Sequence, residues 1–438
     1  MADGYILVKQ SLNLSGSVKL VGAKNAVLPI MASLILTSGK SVLENVPSSA
    51  DVRQMINLLK DLGAQVFFDS EKNYLEVDTS TINNHKIKPE IMNKMRASIL
   101  VMGPLLGRFY KAKVAMPGGC LIGARPIDFH LKGLKKLGIK VEENGHFLNV
   151  HCEPNSDFNS KVVLEYPSVG ATENIVMFAA LRKGETTIVN AALEPEVLDF
   201  IDVLQKMGAK IEFKAPATLH ITGVEKLNPI KHSIIPDRLE AGALLLAAAI
   251  TGGQIYLPDA VADHMDVFLE KLKEMGHEVI VDNGIKLKAT KNPRAVSFKT
   301  SPYPGFPTDL QSPMMAAQCL AQGESVIEET VFENRLMHVK ELQKMGAQIR
   351  LFGSKAIIKG VDELYGADVI ATDIRASCAL VLAGLVAQGQ TTIKGIHHWR
   401  RGYDKLEDKL KSLNGNISVV ENILHHSSSD SENSSLQI

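Results

Sequence analysis

Apolar positions recur along this chain at a long period. A short pattern, Leu-x-x-(Leu/Met)-Gly-x-x-(Val/Ile), reads Leu59-Lys60-Asp61-Leu62-Gly63-Ala64-Gln65-Val66 in its first copy. It returns at Leu134 to Gly138, Leu204 to Gly208, Leu272 to Gly276 and Leu342 to Gly346, with a degenerate copy at Leu410-Lys411-Ser412-Leu413-Asn414-Gly415. The spacing is roughly 70 residues, enough for a whole supersecondary unit. Each copy predicts a helix closed by a C-terminal Gly and followed by a strand. A second element precedes each copy: an Ala-rich helix, apolar nearly all round and hence buried. The six are predicted at 25–37, 95–106, 172–181, 240–250, 310–321 and 374–387, each closed by a Gly (39, 107, 184, 253, 323, 389). Strands follow, as at 186–189, 254–257 and 391–394. The fold class is therefore α/β, six pseudo-repeats of helix, strand, helix and strand pair.

Six such units divide naturally into two domains of three. The expected boundaries are 22–233 for a first domain, with 1–21 and 234–424 forming a second. The strand Tyr5–Lys9 precedes the first unit and is expected to pair into the second domain. The Ser-rich stretch 425–438 reads as a disordered tail.

Composition narrows the function. Lys plus Arg and Asp plus Glu are 48 each in 438 residues. A neutral chain argues against a nucleic-acid or membrane-surface partner. Four Cys without a CxxC point to a reducing compartment. No signal core opens the chain, and its longest apolar stretch, 243–250, is far short of a membrane span. A cytoplasmic protein is expected. The His pairs at 397–398 and 425–426 lack a ligand context, so no metal is expected.

One loop breaks the period: Pro117-Gly118-Gly119-Cys120-Leu121-Ile122-Gly123-Ala124-Arg125-Pro126. From helix-end Gly to marker Gly, five units use roughly 23 to 25 residues and this one roughly seven more. Long Gly-rich insertions are usually functional. Arg125 favours the thiolate of Cys120. Cys152, Cys319 and Cys378 read as inert core thiols.

Charges stand where the apolar helices begin: Lys24, Arg96, Glu173, Asp237 with Arg238, Asp309, and Asp373 with Arg375. If the two halves face each other, these ends converge on one cleft. Helix N-termini carry free N–H groups and partial positive charge, which suit phosphates and carboxylates. Arg96, Arg125, Arg335, Arg375 and Arg401 supply bidentate partners for such anions. The competing reading makes Asp237, Asp309 and Asp373 N-caps paired with the arginines. The turn Ser168-Val169-Gly170 reads equally as a diphosphate site or a plain cap.

These residues resemble a known family. Gly22-Ala23-Lys24-Asn25-Ala26, the Cys120 loop, Phe306-Pro307-Thr308-Asp309, Phe332-Glu333-Asn334-Arg335, Thr372-Asp373-Ile374-Arg375-Ala376 and Arg401-Gly402-Tyr403 are similar, in order, to the UDP-N-acetylglucosamine enolpyruvyl transferases, the family that opens bacterial peptidoglycan synthesis. The resemblance implies a two-domain inverse α/β barrel of six repeats. It implies transfer of enolpyruvate from phosphoenolpyruvate to the sugar 3-hydroxyl through a tetrahedral ketal, with no cofactor and no obligate protein partner. Cys120 becomes the acid that protonates the enol carbon and Asp309 the base. Lys24, Arg125 and Arg401 hold phosphoenolpyruvate, assisted by Arg335 and Arg375. Asn25, Arg96, Arg125, Pro126, Ile127, Asp128, Phe129, Ser168, Val169, Gly170, Asp309 and Val331 receive the UDP sugar. Leu100, and Tyr166 with Pro167, depart from members carrying Trp and Lys there. The fold relative acting on shikimate 3-phosphate lacks the Cys loop. A silent binding paralogue fits poorly with Lys24, Cys120, Asp309 and Arg401 all present.

Overall fold

The computed structural model describes residues 4–92, 96–115, 127–145, 147–153 and 159–421. Its described strands form six small sheets of one design. In the first, Lys40–Glu44 follows the buried helix and pairs antiparallel with Tyr74–Asp78, the second arm of a hairpin begun by Gln65–Asp69. A distant strand, Lys231–Ser233, adds in parallel on the other side. Four other sheets repeat this order. The remaining sheet has three strands, Lys111–Ala115, Phe147–His151 and Lys140–Asn144, and a lone parallel bridge from Lys86 to Lys113 marks the fourth place.

The last sheet is closed by the start of the chain. Tyr5–Lys9 lies between Gln390–Lys394 and Asn416–Val420, antiparallel to both, with Ile6 and Val8 turned inward. Alternation of apolar and polar residues gives each hairpin one inward face. The described core falls into two clusters, one drawn from residues 23–234 and one from 6–20 with 239–417.

Five of the repeat glycines that close the outer helices sit at positive φ, from 79° at Gly138 to 108° at Gly208. Only glycine takes that conformation at little cost. In the sixth copy Asn414 holds the same place at φ 72°, the side chain next most tolerant of it.

The buried helices are Lys24–Ser33, Met102–Phe109, Val169–Ala180, Arg238–Thr251, Thr308–Gln318 and Ile374–Val386. The second differs from the expected 95–106. Arg96–Val101 is a 3-10 helix, and the α-helix starts late, with Pro104 in its first turn where no donor is required. Gly107 is therefore inside the helix, and Tyr110 at φ 60° closes it. A Cβ at Gly107 would meet Leu36 at 3.0 Å, so this glycine serves packing. Gly252, not Gly253, makes the left-handed turn of the fourth helix.

Candidate active site

The buried helices bring charge to their N-terminal ends, but not all of it as caps. Asp237 caps its own helix through the amides of Leu239 (2.8 Å) and Glu240 (3.3 Å), and its other oxygen accepts from the amide of Lys24 at 3.4 Å. The first and fourth helices therefore meet at their starts. Asp373 caps through Arg375 (2.8 Å) and Ala376 (3.1 Å). Ser168 caps through Ala171 at 3.4 Å. Asp309 is not a cap: the N-cap is Pro307, and Asp309 lies inside the first turn. Its Oδ1 accepts from Arg335 Nη2 and its Oδ2 from Arg375 Nη2, both at 2.8 Å.

Both arginines are almost fully buried, and burial alone would raise the Asp309 carboxyl. The guanidiniums of Arg375 and Arg335 more than reverse it and hold the group well below the usual carboxylate range. Arg335 also donates to Thr308 Oγ1 at 3.4 Å, and Thr308 donates to Glu329 at 2.9 Å. Glu329 accepts in turn from the amides of Val331 (2.8 Å) and Phe332 (3.1 Å) and from Thr300 (3.0 Å). Arg375 donates its remaining Nη to the phenolic oxygen of Tyr403 at 3.2 Å.

A second carboxylate, Asp51, joins two more cations. Lys24 Nζ lies 3.4 Å from its Oδ2 and Arg401 Nε 2.9 Å from its Oδ1. Burial lowers the Lys24 pKa, Asp51 opposes that, and Arg375, Asp309 and Arg401 all act on it as well. Lys24, Asp51 and Arg401 thus form one ion-paired triad and Arg335, Asp309 and Arg375 a second, and the charges of the second act on Lys24 of the first. Guanidinium and ammonium groups gathered near helix N-termini are donors of the kind that suit small anions.

With that geometry in place, the comparisons decide the family. The family model for EPSP synthase (3-phosphoshikimate 1-carboxyvinyltransferase) matches residues 8–410. The chain belongs to the EPSP synthase family. Two curated relatives are a UDP-N-acetylglucosamine 1-carboxyvinyltransferase of Finegoldia magna, 47% identical over 95% of this chain and 99% of its own length, and one of Caldanaerobacter subterraneus, 48% identical over 94% and 98%. Among solved structures, the enolpyruvyl transferase NikO from Streptomyces tendae superposes with a TM-score of 0.85 at 22% identity, covering 96% of this chain and 100% of that one. EPSP synthase from Acinetobacter baumannii follows with a TM-score of 0.73 at 16% identity, covering 95% and 99%. The fold is the enolpyruvyl transferase fold.

The other residues that the family pattern singled out are spread along the chain. Asn25 is half-buried on the first helix, beside Lys24. Arg96 opens the 3-10 helix. Ile127 is buried, and Asp128 starts the helix Asp128–Lys136, with Lys132 at 3.4 Å. Phe129 stacks on Tyr166 with ring centroids 6.5 Å apart. Val169 and Gly170 open the third helix, and a Cβ at Gly170 would sit 3.0 Å from the ring of His130. Cys120, Arg125 and Pro126 lie outside the described residues. Burial pushes the Cys319 thiol up to about 12 and that of Cys378 to about 11, and Cys152 is buried too. Among the described residues, Asp199, Asp202 and His232 have metal-ligand spacing, but Lys206 Nζ already lies 2.5 Å from Asp202 and 3.4 Å from His232. Sequence reasoning missed Asp51 and the Glu196–Arg238 pair (2.9 and 3.1 Å), and gave Tyr403 no role.

Proposed function

We infer that the protein transfers the enolpyruvyl group of phosphoenolpyruvate to the 3-hydroxyl of UDP-N-acetylglucosamine and releases phosphate. The observation that carries this reading is the near-complete match to relatives bearing that activity in their names. The cluster of Lys24, Arg335, Arg375 and Arg401 around two aspartates supports it chemically. Lys24, Arg401 and Arg125 hold the phosphate, and Arg335 with Arg375 the carboxylate. Asp309 takes the proton of the 3-hydroxyl as that oxygen attacks C2 of phosphoenolpyruvate, and Cys120 delivers a proton to C3. The ketal then loses a C3 proton and the C2–O bond to phosphate breaks, restoring the C2=C3 double bond as an enol ether of the sugar and releasing phosphate. Asn25, Arg96, Ile127, Asp128, Phe129, Pro126, Ser168, Val169, Gly170 and Val331 receive the sugar nucleotide. We place the protein in the cytoplasm, at the first committed step of cell-wall synthesis. We also read the two core clusters as two domains, 22–233 and 1–21 with 234–424.

The test is phosphate release from phosphoenolpyruvate, measured with UDP-N-acetylglucosamine, with shikimate 3-phosphate and with neither. Release with the sugar nucleotide alone is expected. Release with shikimate 3-phosphate alone, or with no acceptor in any arm, overturns the reading.

A further inference from the structure

Arg375 is 4% exposed, and two of its guanidinium donors are partnered within the protein. One Nη is spent on Asp309 at 2.8 Å. The other reaches Tyr403 Oη at 3.2 Å, with the guanidinium carbon 5.4 Å from the centre of the Tyr403 ring. Tyr403 is itself fixed. It is 5% exposed, its ring packs 5.0 Å from that of Trp399, and the wholly buried Trp399 is tied to Glu407 by its indole N–H at 2.7 Å. We infer that Tyr403 is a positioning residue, whose phenolic oxygen holds the Arg375 fork against Asp309.

The inference rests on the transferase reading and adds a part to it. A fork held at one tip pivots, and a planar guanidinium is useful because its donors keep a fixed geometry. The Tyr403 oxygen supplies the second tip. Phe would fill the same space and leave a buried N–H without an acceptor. The backbone around Tyr403 does more. Arg401, two residues earlier, reaches Asp51 at 2.9 Å, and Asp404, the next residue, accepts from Ser48 N and Oγ at 2.9 and 2.8 Å. The same few peptide units therefore set the cation beside Lys24, the contact to the other core and the orientation of Arg375. A residue whose backbone is braced on both sides makes a reliable stop for a catalytic fork.

The charged groups facing each member are known. Asp309 contacts Arg335 and Arg375, and Arg375 contacts Asp309 and Tyr403; at longer range the charge of Asp237 acts on Arg375, those of Arg375 and Asp309 act on Lys24, and the Cys378 thiol acts on Tyr403. Loosening Arg375 removes part of the positive charge that holds the Asp309 carboxyl down, so the base then titrates at a higher pH.

The experiment compares the parent with Tyr403→Phe, Arg375→Lys and the double variant, each assayed for phosphate release over a range of pH. Tyr403→Phe is expected to lower kcat roughly tenfold, the loss that follows from one hydrogen bond to a charged group. Its KM for UDP-N-acetylglucosamine should stay within about twofold, as binding of the sugar nucleotide does not run through this contact. The acid limb of kcat/KM should move to higher pH, which a packing defect alone would not cause. In the Arg375→Lys background the tyrosine has no fork to hold, so the second substitution should add little. That cycle decides the matter even if Tyr403→Phe folds poorly, because a folding loss adds in either background. A kcat near the parent's with an unmoved acid limb, or additive losses in the cycle, overturns the inference. A parent without transfer to UDP-N-acetylglucosamine removes the transferase reading itself, an outcome distinct from a parent that works and a Tyr403→Phe that matches it.

Discussion

Asp309→Asn tests the ion cluster and the base together. A carboxylate that only capped its helix would tolerate Asn, which caps about as well. Asp309 instead sits between two guanidiniums whose side chains are 3% and 5% exposed, its own side chain being 24% exposed. Removing one partner of a buried ion pair costs roughly 3 to 5 kcal/mol, because the remaining charge stays buried and uncompensated. Partial exposure of Asp309 places the cost near the low end, about 3 kcal/mol. At roughly 2 to 4 °C per kcal/mol for a unit of about 200 residues, the melting temperature should fall by about 6 to 12 °C. Turnover should fall at least on the order of 100-fold through loss of the base. Inorganic phosphate should recover more of the melting temperature in the variant than in the parent, since an external anion can take the vacated position between Arg335 and Arg375. Differential scanning fluorimetry across a phosphate series, with phosphate release as the activity assay, reads all three effects. A variant that melts with the parent and ignores phosphate would refute the argument from buried charge. Turnover within tenfold of the parent would send the search for the base to Asp237 and to Glu194, a carboxyl that burial raises and whose Oε2 is buried without a hydrogen-bond partner.

Asp51→Asn removes the charge that supports a protonated Lys24 against burial, so the basic limb of kcat/KM for phosphoenolpyruvate should move to lower pH; an unmoved limb counts against the pairing. Burial pushes the Glu240 carboxyl up to about 7, with Lys409 at 2.7 Å opposing it. A carboxyl raised in the folded state contributes stability that is present below its unfolded value near 4.5 and lost as pH rises toward 7, an amount of roughly 3 kcal/mol at 1.36 kcal/mol per unit. Glu240→Gln cannot titrate, so urea melts at pH 5 and pH 8 should converge relative to the parent, and equal pH dependence in both proteins would contradict this; the His277, His338 and His398 imidazoles, held near 4 by burial, act alike in both. A small epoxide phosphonate should alkylate Cys120 and leave the buried thiols of Cys152, Cys319 and Cys378 untouched; peptide mapping that finds the adduct on any of the three removes Cys120 from its role. Cys120→Asp should keep an acid and resist the reagent, whereas Cys120→Ser should be nearly inactive.

The repeat was legible because its marker is a backbone requirement. A helix that turns straight into a strand needs one left-handed residue, and five glycines and Asn414 supply it. The break in the second buried helix was not legible, because a mixed apolar run such as 97–102 is compatible with either helical form and Pro104 fixes the start only once the packing is known. The pairing of Tyr5–Lys9 with the end of the chain agrees with its leftover position in the count of strands. At the site, charge at the start of an apolar helix was a usable signal. It located Lys24, Asp309 and Arg375, though it could not tell a cap from an ion pair, and Asp309 proved to be the latter. Asp51 gave no signal at all. After Ser49, an acid in the first turn of an amphipathic helix is fully explained by the helix itself, and its partner Arg401 lies 350 residues away in sequence.

The ion pairs also explain why the cluster contains carboxylates as well as cations. Among the described residues, Lys24, Arg335, Arg375 and Arg401 bring four positive charges to the ends of the buried helices, and Asp51 and Asp309 return two. Left alone, four cations that close together would repel one another and lose their hydration on burial. Each aspartate holds two of them in place. On the transferase reading proposed above, each also competes with the phosphate or carboxylate of phosphoenolpyruvate for the same donors. Stability and affinity therefore pull in opposite directions at these two residues. Replacing Asp51 or Asp309 by a neutral residue shifts that balance toward anion binding and away from stability. Replacing one of the four cations shifts it the other way, with the loss of a ligand contact added.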